Sequence, residues 1–125
     1  MFALTSTCSY YLRSEPTDMR LGIDGLSGLV RGQLNRNPTS GEVFIFINRR
    51  RDKTKLLRWE ETGFILYYKR LEAGTFELPA WNSKDNSYSL TWAELVMIVE
   101  GISVKQIKRR KRFAKRGAIY QQFRA

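Results

Sequence analysis

The order of apolar and polar residues predicts a helix, three strands and a second helix. Between positions 23 and 34, apolar residues recur at spacings of three, four and one, which places them on one helix face. These residues are Ile23, Leu26, Leu29, Val30 and Leu34. Pro38 and Gly41 are expected to end this segment, because proline cannot continue a helix and glycine permits a tight turn.

Three runs rich in β-branched and aromatic residues follow the first helix. VFIFIN (43–48) predicts a strand buried on both faces. TKLLRW (54–59) and GFILYYKR (63–70) predict strands whose successive side chains point to opposite faces. The connections RRRDK and EETG are short, so the simplest topology is an antiparallel meander. The polar stretch AWNSKDNSYS (80–89) indicates an exposed loop.

The stretch TWAELVMIVEG predicts a compact second helix that covers the sheet. Thr91 and Glu94 have the spacing of a capping box, and Gly101 is placed to stop the helix. The predicted fold class is therefore α+β: a three-stranded antiparallel meander packed against two helices, with a basic C-terminal arm. We expect a single domain over residues 1–102 and a basic tail over 103–125, either helical or disordered.

Length and composition are those of a single globular domain. The longest apolar runs, VFIFI (43–47) and LVMIV (95–99), fall well short of the roughly 20 residues that a membrane-spanning helix needs. The start, MFALTSTCSYYLRSE, lacks the features of a signal peptide. Cys8 is the only cysteine, which excludes an internal disulfide and fits a reducing cytoplasm.

Catalytic groups are scarce in this sequence. There is no histidine and one cysteine, so no Cys/His zinc site and no Cys-His or Ser-His nucleophile pair can form. Carboxylates are present, but their spacing does not force them to converge on a metal ion; they include Asp18, Asp24, Asp52, Glu60, Glu61 and Glu72. We therefore predict no catalytic residue, no metal site and no cofactor, and we expect a protein that is not an enzyme.

The net charge of +10 is concentrated at one end of the chain. Residues 1–100 carry 13 Lys/Arg and 12 Asp/Glu, whereas residues 101–125 carry nine Lys/Arg and no acid. Such a tail either aids solubility or binds a polyanion, and its density of charge favours nucleic acid. The candidate contacts in this tail are Lys108, Arg109, Arg110, Lys111, Arg112, Lys115 and Arg116.

The turn between the first two predicted strands is a second basic cluster. Five of the seven residues from Arg49 to Lys55 are cationic, which suits bidentate binding of phosphate, although a solvated turn is the alternative. Tyr67 and Tyr68 in the third strand either stack unpaired bases or pack in the core. The candidate nucleic-acid-binding residues of the body are Arg49, Arg50, Arg51, Lys53, Lys55, Arg58, Lys69 and Arg70.

The middle of the chain resembles a known family. NRRRDKTKLLRWEETGFILYYKRLEAGTFELP is similar to the signature of the TnpB-type accessory protein of the insertion-sequence sixty-six family of bacterial transposons. DMRLGIDGL and NPTSGEVFIF upstream, and LTWAELVMIVEGI downstream, extend the resemblance over roughly residues 16–102. One turn departs from the family pattern: WEETGF stands where Trp-Asp-Gly-Asp-Gly-Phe is usual.

The resemblance implies a protein encoded beside a larger transposase and needed for transposition, without established catalytic residues. We expect a non-catalytic accessory protein that binds DNA through its basic hairpin and tail and assists the transposase. Its expected partners are DNA, in particular transposon ends, and the transposase and other accessory proteins of the element, with no membrane partner. Its expected location is the cytoplasm, in association with the nucleoid. An adaptor that docks on the transposase with little DNA binding of its own, and a small RNA-binding protein, remain alternatives.

Overall fold

A computed structural model describes residues 4–78 and 87–100 of the chain. Within these ranges the chain forms five strands and two helices. In chain order they are β1 (Tyr10–Arg13), α1 (Ile23–Gly32), β2 (Val43–Ile47), β3 (Lys53–Glu60), β4 (Gly63–Arg70), β5 (Ser87–Leu90) and α2 (Trp92–Glu100).

The strands form one mixed sheet in the order β4-β3-β2-β1-β5. Strands β2, β3 and β4 make the predicted antiparallel meander, and the predicted α+β class and two helices are confirmed. The prediction of a three-stranded sheet, however, is incomplete, because the sheet has five strands. Strand β1 pairs in parallel with β2, with α1 as the crossover between them, and β5 pairs antiparallel with β1.

The two unpredicted strands are short segments whose sequence gives little local indication of a strand. Each has four residues, YYLR in β1 and SYSL in β5. Their hydrogen-bond partners lie far away along the chain, so tertiary pairing decides their conformation. The prediction of an exposed loop over 80–89 is therefore wrong for residues 87–89, which belong to β5; its earlier part lies outside the described residues.

The sheet buries apolar side chains on both faces. All five residues of β2 are buried, as predicted from VFIFIN, and alternate residues point to opposite sides. One core, beneath α1, contains Leu26, Val30, Leu34, Phe44, Phe46 and Leu57. The other, beneath α2, contains Tyr10, Leu12, Val43, Ile45, Ile47, Leu56, Phe76, Leu95, Ile98 and Val99, together with Leu4 and Leu90.

Helix α2 begins with the predicted capping box. The Glu94 backbone N–H donates to Thr91 Oγ1 at 3.1 Å, and the Thr91 N–H donates to Glu94 Oε1 at 2.9 Å. These two bonds satisfy donors that a helix N-terminus leaves unpaired. Gly101, the predicted stop residue, and the predicted basic tail over 103–125 lie outside the described residues.

One end of the sheet collects several loops and is called here the hairpin end. At this end β1, β2 and β4 finish and β3 begins, since Ile47 pairs with Thr54 and Lys53 pairs with Arg70. The loop between β1 and α1 is fixed to the same end, because the Thr17 N–H donates to Ile47 O at 2.9 Å. The hairpin end therefore carries the turn with the predicted arginines.

Candidate nucleic-acid interface

The turn between β2 and β3 is held by the side chain of Asn48. Asn48 Oδ1 accepts hydrogen bonds from the Asp52 and Lys53 backbone N–H groups at 3.0 and 2.9 Å, and Asn48 Nδ2 donates to Asp52 Oδ1 at 2.7 Å. The Arg51 N–H donates to the Asn48 carbonyl at 3.0 Å. Asparagine favours turns because its side chain can bond to nearby backbone groups in this way.

A second segment fixes the turn from outside. The carbonyls of Arg51 and Asp52 accept hydrogen bonds from the N–H groups of Phe76 and Leu71, at 2.6 and 2.7 Å. Phe76 is itself buried in the core beneath α2. The backbone of the turn is thus connected to the core and presents its side chains from a fixed position.

The three turn arginines point outward from this fixed backbone. Arg49, Arg50 and Arg51 are all exposed. In the part of the chain that the structure describes, their guanidinium groups form no hydrogen bond or ion pair. The adjacent carboxylate of Asp52 is engaged within the turn: the hydrogen bond from Asn48, helped by the nearby charges of Lys53 and Arg50, lowers its pKa. The turn's own structure thus leaves these three cations available to an external anion.

Two open depressions flank the turn. The larger, of about 640 Å³, contains four cations, one carboxylate and an aromatic ring, and is called here the basic depression; its lining includes Asp18, Arg20, Arg49, Arg50, Lys53 and Tyr68. The smaller, of about 370 Å³, is lined by Arg49 and Arg51, with Ile47 and Leu78 from the side of α2. Arg50 therefore lines the basic depression and Arg51 lines the smaller one, whereas Arg49 lines both depressions.

Arg20 is a member of the basic depression that the sequence did not reveal. Its guanidinium binds both oxygens of Asp18, at 2.7–3.1 Å, and its side chain remains 91% exposed. These hydrogen bonds lower the pKa of Asp18 to about 2. Arg20 is distant from the turn in sequence and joins it only because the loop after β1 is fixed to Ile47. Its motif DMR gives no local sign of this placement.

Two predicted contact residues, Lys55 and Lys69, are occupied by the protein itself. Lys55 Nζ donates to the carbonyls of Met19 and Leu21, at 2.8 and 2.9 Å, and so ties the loop before α1 to β3. Lys69 Nζ donates to Val99 O at 2.9 Å, at the last turn of α2. There its charge also complements the negative end of the helix dipole. Both ammonium groups stabilise the fold.

The remaining predicted residues differ in position. Lys53 lines the basic depression near Asp52, with 3.8 Å between Nζ and Oδ1. Arg58 lies towards the far end of β3, is 21% exposed, and pairs with Glu60 at 3.5 Å. Arg70 is exposed at the hairpin end and donates to Glu72 at 2.9 Å. The structure thus brings together the three turn arginines and Lys53; the predicted tail cations lie outside the described residues.

The two tyrosines of β4 have different environments. Tyr67 packs against the core beneath α2, and burial raises the pKa of its hydroxyl. Tyr68 lines the basic depression and is 50% exposed, with Lys55 Nζ lying 5.4 Å from the ring centroid. Tyr68 alone of the pair is therefore accessible to a ligand at this site.

Residues 4–78 and 87–100 contain neither a metal-binding cluster nor a membrane-spanning helix. No three Cys, Asp or Glu side chains in these ranges are grouped so that they could hold a metal ion. No helix there is long and apolar enough to cross a membrane.

Comparison with known proteins gives one family and two related chains. A family model described as IS66 Orf2 like protein matches residues 8–109. The chain is 33% identical over 97 residues to the uncharacterized protein y4jC of Sinorhizobium fredii (strain NBRC 101917 / NGR234), which covers 78% of this chain and 81% of that protein. It is 31% identical over 86 residues to the uncharacterized protein y4hO of the same strain, covering 69% and 73%. No solved structure matches significantly.

Proposed function

This chain belongs to the IS66 Orf2-like family of transposon accessory proteins, and on that basis we propose that it binds DNA at the turn between β2 and β3. In this proposal it assists a transposase without catalysing a step itself. Its DNA partner is the end of the transposon, and its protein partners are the transposase and the other accessory proteins of the same element.

The observation that carries the proposal is the set of three exposed arginines on a turn that is structured without them. Asn48 and Asp52 hold the backbone, and the three neighbouring guanidinium groups, which carry the same charge, repel one another. Arginine binds phosphate oxygens bidentately, and a ribbon tip fits a groove or follows the DNA backbone. A phosphate ligand would offset the repulsion that the free protein carries here.

The backbone at Arg51 supports the same conclusion. Its φ of 60° lies in the left-handed region, which costs an L-residue roughly 1–2 kcal/mol and favours glycine or asparagine. Turn chemistry alone would place one of those residues at this position. An arginine there is consistent with a function that outweighs its conformational cost.

Helix α2 ends beside β4, and the basic tail follows it in the sequence. Val99 O accepts from Lys69 in β4, and the Glu100 carboxylate lies 4.0 Å from the same ammonium. Residues 101–125, with nine Lys/Arg and no acid, follow α2 in the sequence. In this proposal the basic tail and the turn bind the same DNA.

Single charge-removing variants with a matched control test the proposal. We would titrate labelled duplex DNA with full-length protein carrying Arg50→Gln or Arg31→Gln at several salt concentrations. Arg31 is an exposed cation in the last turn of α1 that lines neither depression. Each lost phosphate contact reduces the salt slope by about 0.9, so Arg50→Gln is expected to weaken binding and lower the slope, and Arg31→Gln is not.

A third variant removes the charge without disturbing the fold. Glycine adopts the backbone conformation of Arg51 at no steric cost, so Arg51→Gly is expected to leave the stability unchanged or higher while it weakens DNA binding. Equal binding by all three variants would contradict DNA contact at the turn. Binding lost only when Lys108, Arg109, Arg110, Lys111 and Arg112 become glutamine would instead favour an adaptor anchored by its tail.

A further inference from the structure

Tyr68 is the one large hydrophobic side chain that is exposed among the residues that the structure describes. It shares a face of β4 with Phe64 and Leu66, which pack against the core beneath α1. Tyr68 lies at the end of that row, where the basic depression replaces the helix as its neighbour. A single exposed aromatic side chain is common on protein surfaces; what distinguishes Tyr68 is that it lines the same depression as four cations.

The ring of Tyr68 is supported from one side. Tyr68 and Lys55 are cross-strand partners, and the Lys55 ammonium, fixed by the carbonyls of Met19 and Leu21, lies 5.4 Å from the ring centroid. A cation at this distance attracts the ring face and limits its motion. The remaining surface of the ring is left to the basic depression.

The surroundings of Tyr68 match the chemistry of a nucleotide. Four cations, Arg20, Arg49, Arg50 and Lys53, line the same depression. Its one carboxylate, Asp18, is already bound by Arg20. The volume of about 640 Å³ falls within the range of about 300–1,000 Å³ that is usual for sites of small ligands.

We propose that the basic depression binds an unpaired nucleotide of single-stranded DNA, with the base stacked on Tyr68 and the flanking phosphates on Arg49, Arg50 and Lys53. Every base presents a π-face, so an aromatic ring among cations binds single strands without reading their sequence. Bases within a duplex are stacked on each other and cannot reach the ring. This inference rests on the DNA-binding function proposed above and adds to it a preference for unpaired or frayed strands.

The test compares two DNA probes and three substitutions in the full-length protein. We would measure the fluorescence anisotropy of a labelled oligothymidylate and of a blunt duplex of equal length. Tyr68→Ala is expected to weaken oligothymidylate binding about 5- to 150-fold, the range that stacking of one base supplies, and to leave duplex binding unchanged. Tyr68→Phe keeps the ring and is expected to keep the affinity, whereas Tyr68→Leu keeps apolar volume only and is expected to lose it.

Several results would overturn the inference. It fails if Tyr68→Ala weakens both probes equally or neither, or if Tyr68→Leu binds oligothymidylate as the wild type does. Tyr68-dependent binding that is tighter for oligouridylate than for oligothymidylate would assign the depression to RNA instead. If duplex binding depends on Arg50 and the binding of neither probe depends on Tyr68, this inference fails and the proposed function stands. If the wild-type protein binds neither probe, both proposals fail.

Discussion

Replacement of Lys55 by methionine tests how far the two hydrogen bonds of its ammonium stabilise the fold. The ammonium donates to the carbonyls of Met19 and Leu21, immediately before α1 begins at Ile23. Methionine keeps the length and the apolar stem of the side chain but donates no hydrogen bond. Lys55→Met therefore leaves two carbonyls without their donor and releases the loop before α1 from β3.

The expected loss of stability follows from these two bonds. A hydrogen bond from a charged donor contributes about 1.5–3 kcal/mol. Because the site is part-buried and water can reach the freed carbonyls in part, we expect Lys55→Met to lower the free energy of unfolding by about 2–4 kcal/mol in all. Lys53→Met is the matched control, since Lys53 is 31% exposed and only approaches Asp52 at 3.8 Å, a pair worth about 0–1 kcal/mol.

Urea denaturation of both variants measures the difference. With a slope of about 2 kcal/mol per molar urea, Lys55→Met is expected to lower the midpoint by about 1–2 M at unchanged slope, and Lys53→Met by much less. Equal midpoints for the two variants would refute the reasoning. They would mean that the Lys55 ammonium lies in solvent, where it would be available to phosphate as the sequence suggested.

Two further predictions concern the loops. Glu61→Gly introduces the glycine that the family pattern favours in the turn between β3 and β4. Because Glu61 has a φ of 48°, this substitution is expected to raise the free energy of unfolding by roughly 1 kcal/mol. An unchanged or lower urea midpoint would contradict this expectation. The pKa of Asp18 falls from 3.8 to about 2 on folding, so the stability that Asp18 contributes is present above pH 4 and is lost as the pH falls towards 2. Asp18→Asn is therefore expected to flatten the dependence of the melting temperature on pH in this window, measured by differential scanning fluorimetry, and parallel curves for variant and wild type would exclude the effect.

The parts of the fold that were predictable from the sequence are those encoded by local patterns. The spacing of Leu26 and Val30 predicted α1, the alternation in TKLLRW and GFILYYKR predicted two-faced strands, and the Thr91–Glu94 spacing predicted a capping box. Strands β1 and β5 were not predicted because each is only four residues long and is stabilised by tertiary pairing: β1 pairs with β2 and with β5. Local periodicity carries no information about such partners.

The candidate site, like the fold, could be predicted from the sequence only in part. The charge of the turn was visible in the sequence, and the resemblance to the transposon family is confirmed. The sequence could not distinguish cations that bind the protein's own carbonyls, as Lys55 and Lys69 do, from cations that remain exposed, as Arg49 does. That distinction depends on where distant loops meet the strands, which is also why Arg20 was missed.

The pairing of β1 with β5 has a consequence for how the chain folds during synthesis. Tyr10 pairs with Leu90 across 80 residues of sequence, so this contact closes late and contributes to a high contact order. Until residues 87–90 leave the ribosome, β1 can pair only with β2 and presents an open strand edge to other chains. A nascent or truncated chain that lacks β5 therefore exposes the edge of β1, the kind of unpaired edge that favours aggregation. When β5 forms it pairs with β1, and β5 becomes the outer strand on this side of the sheet.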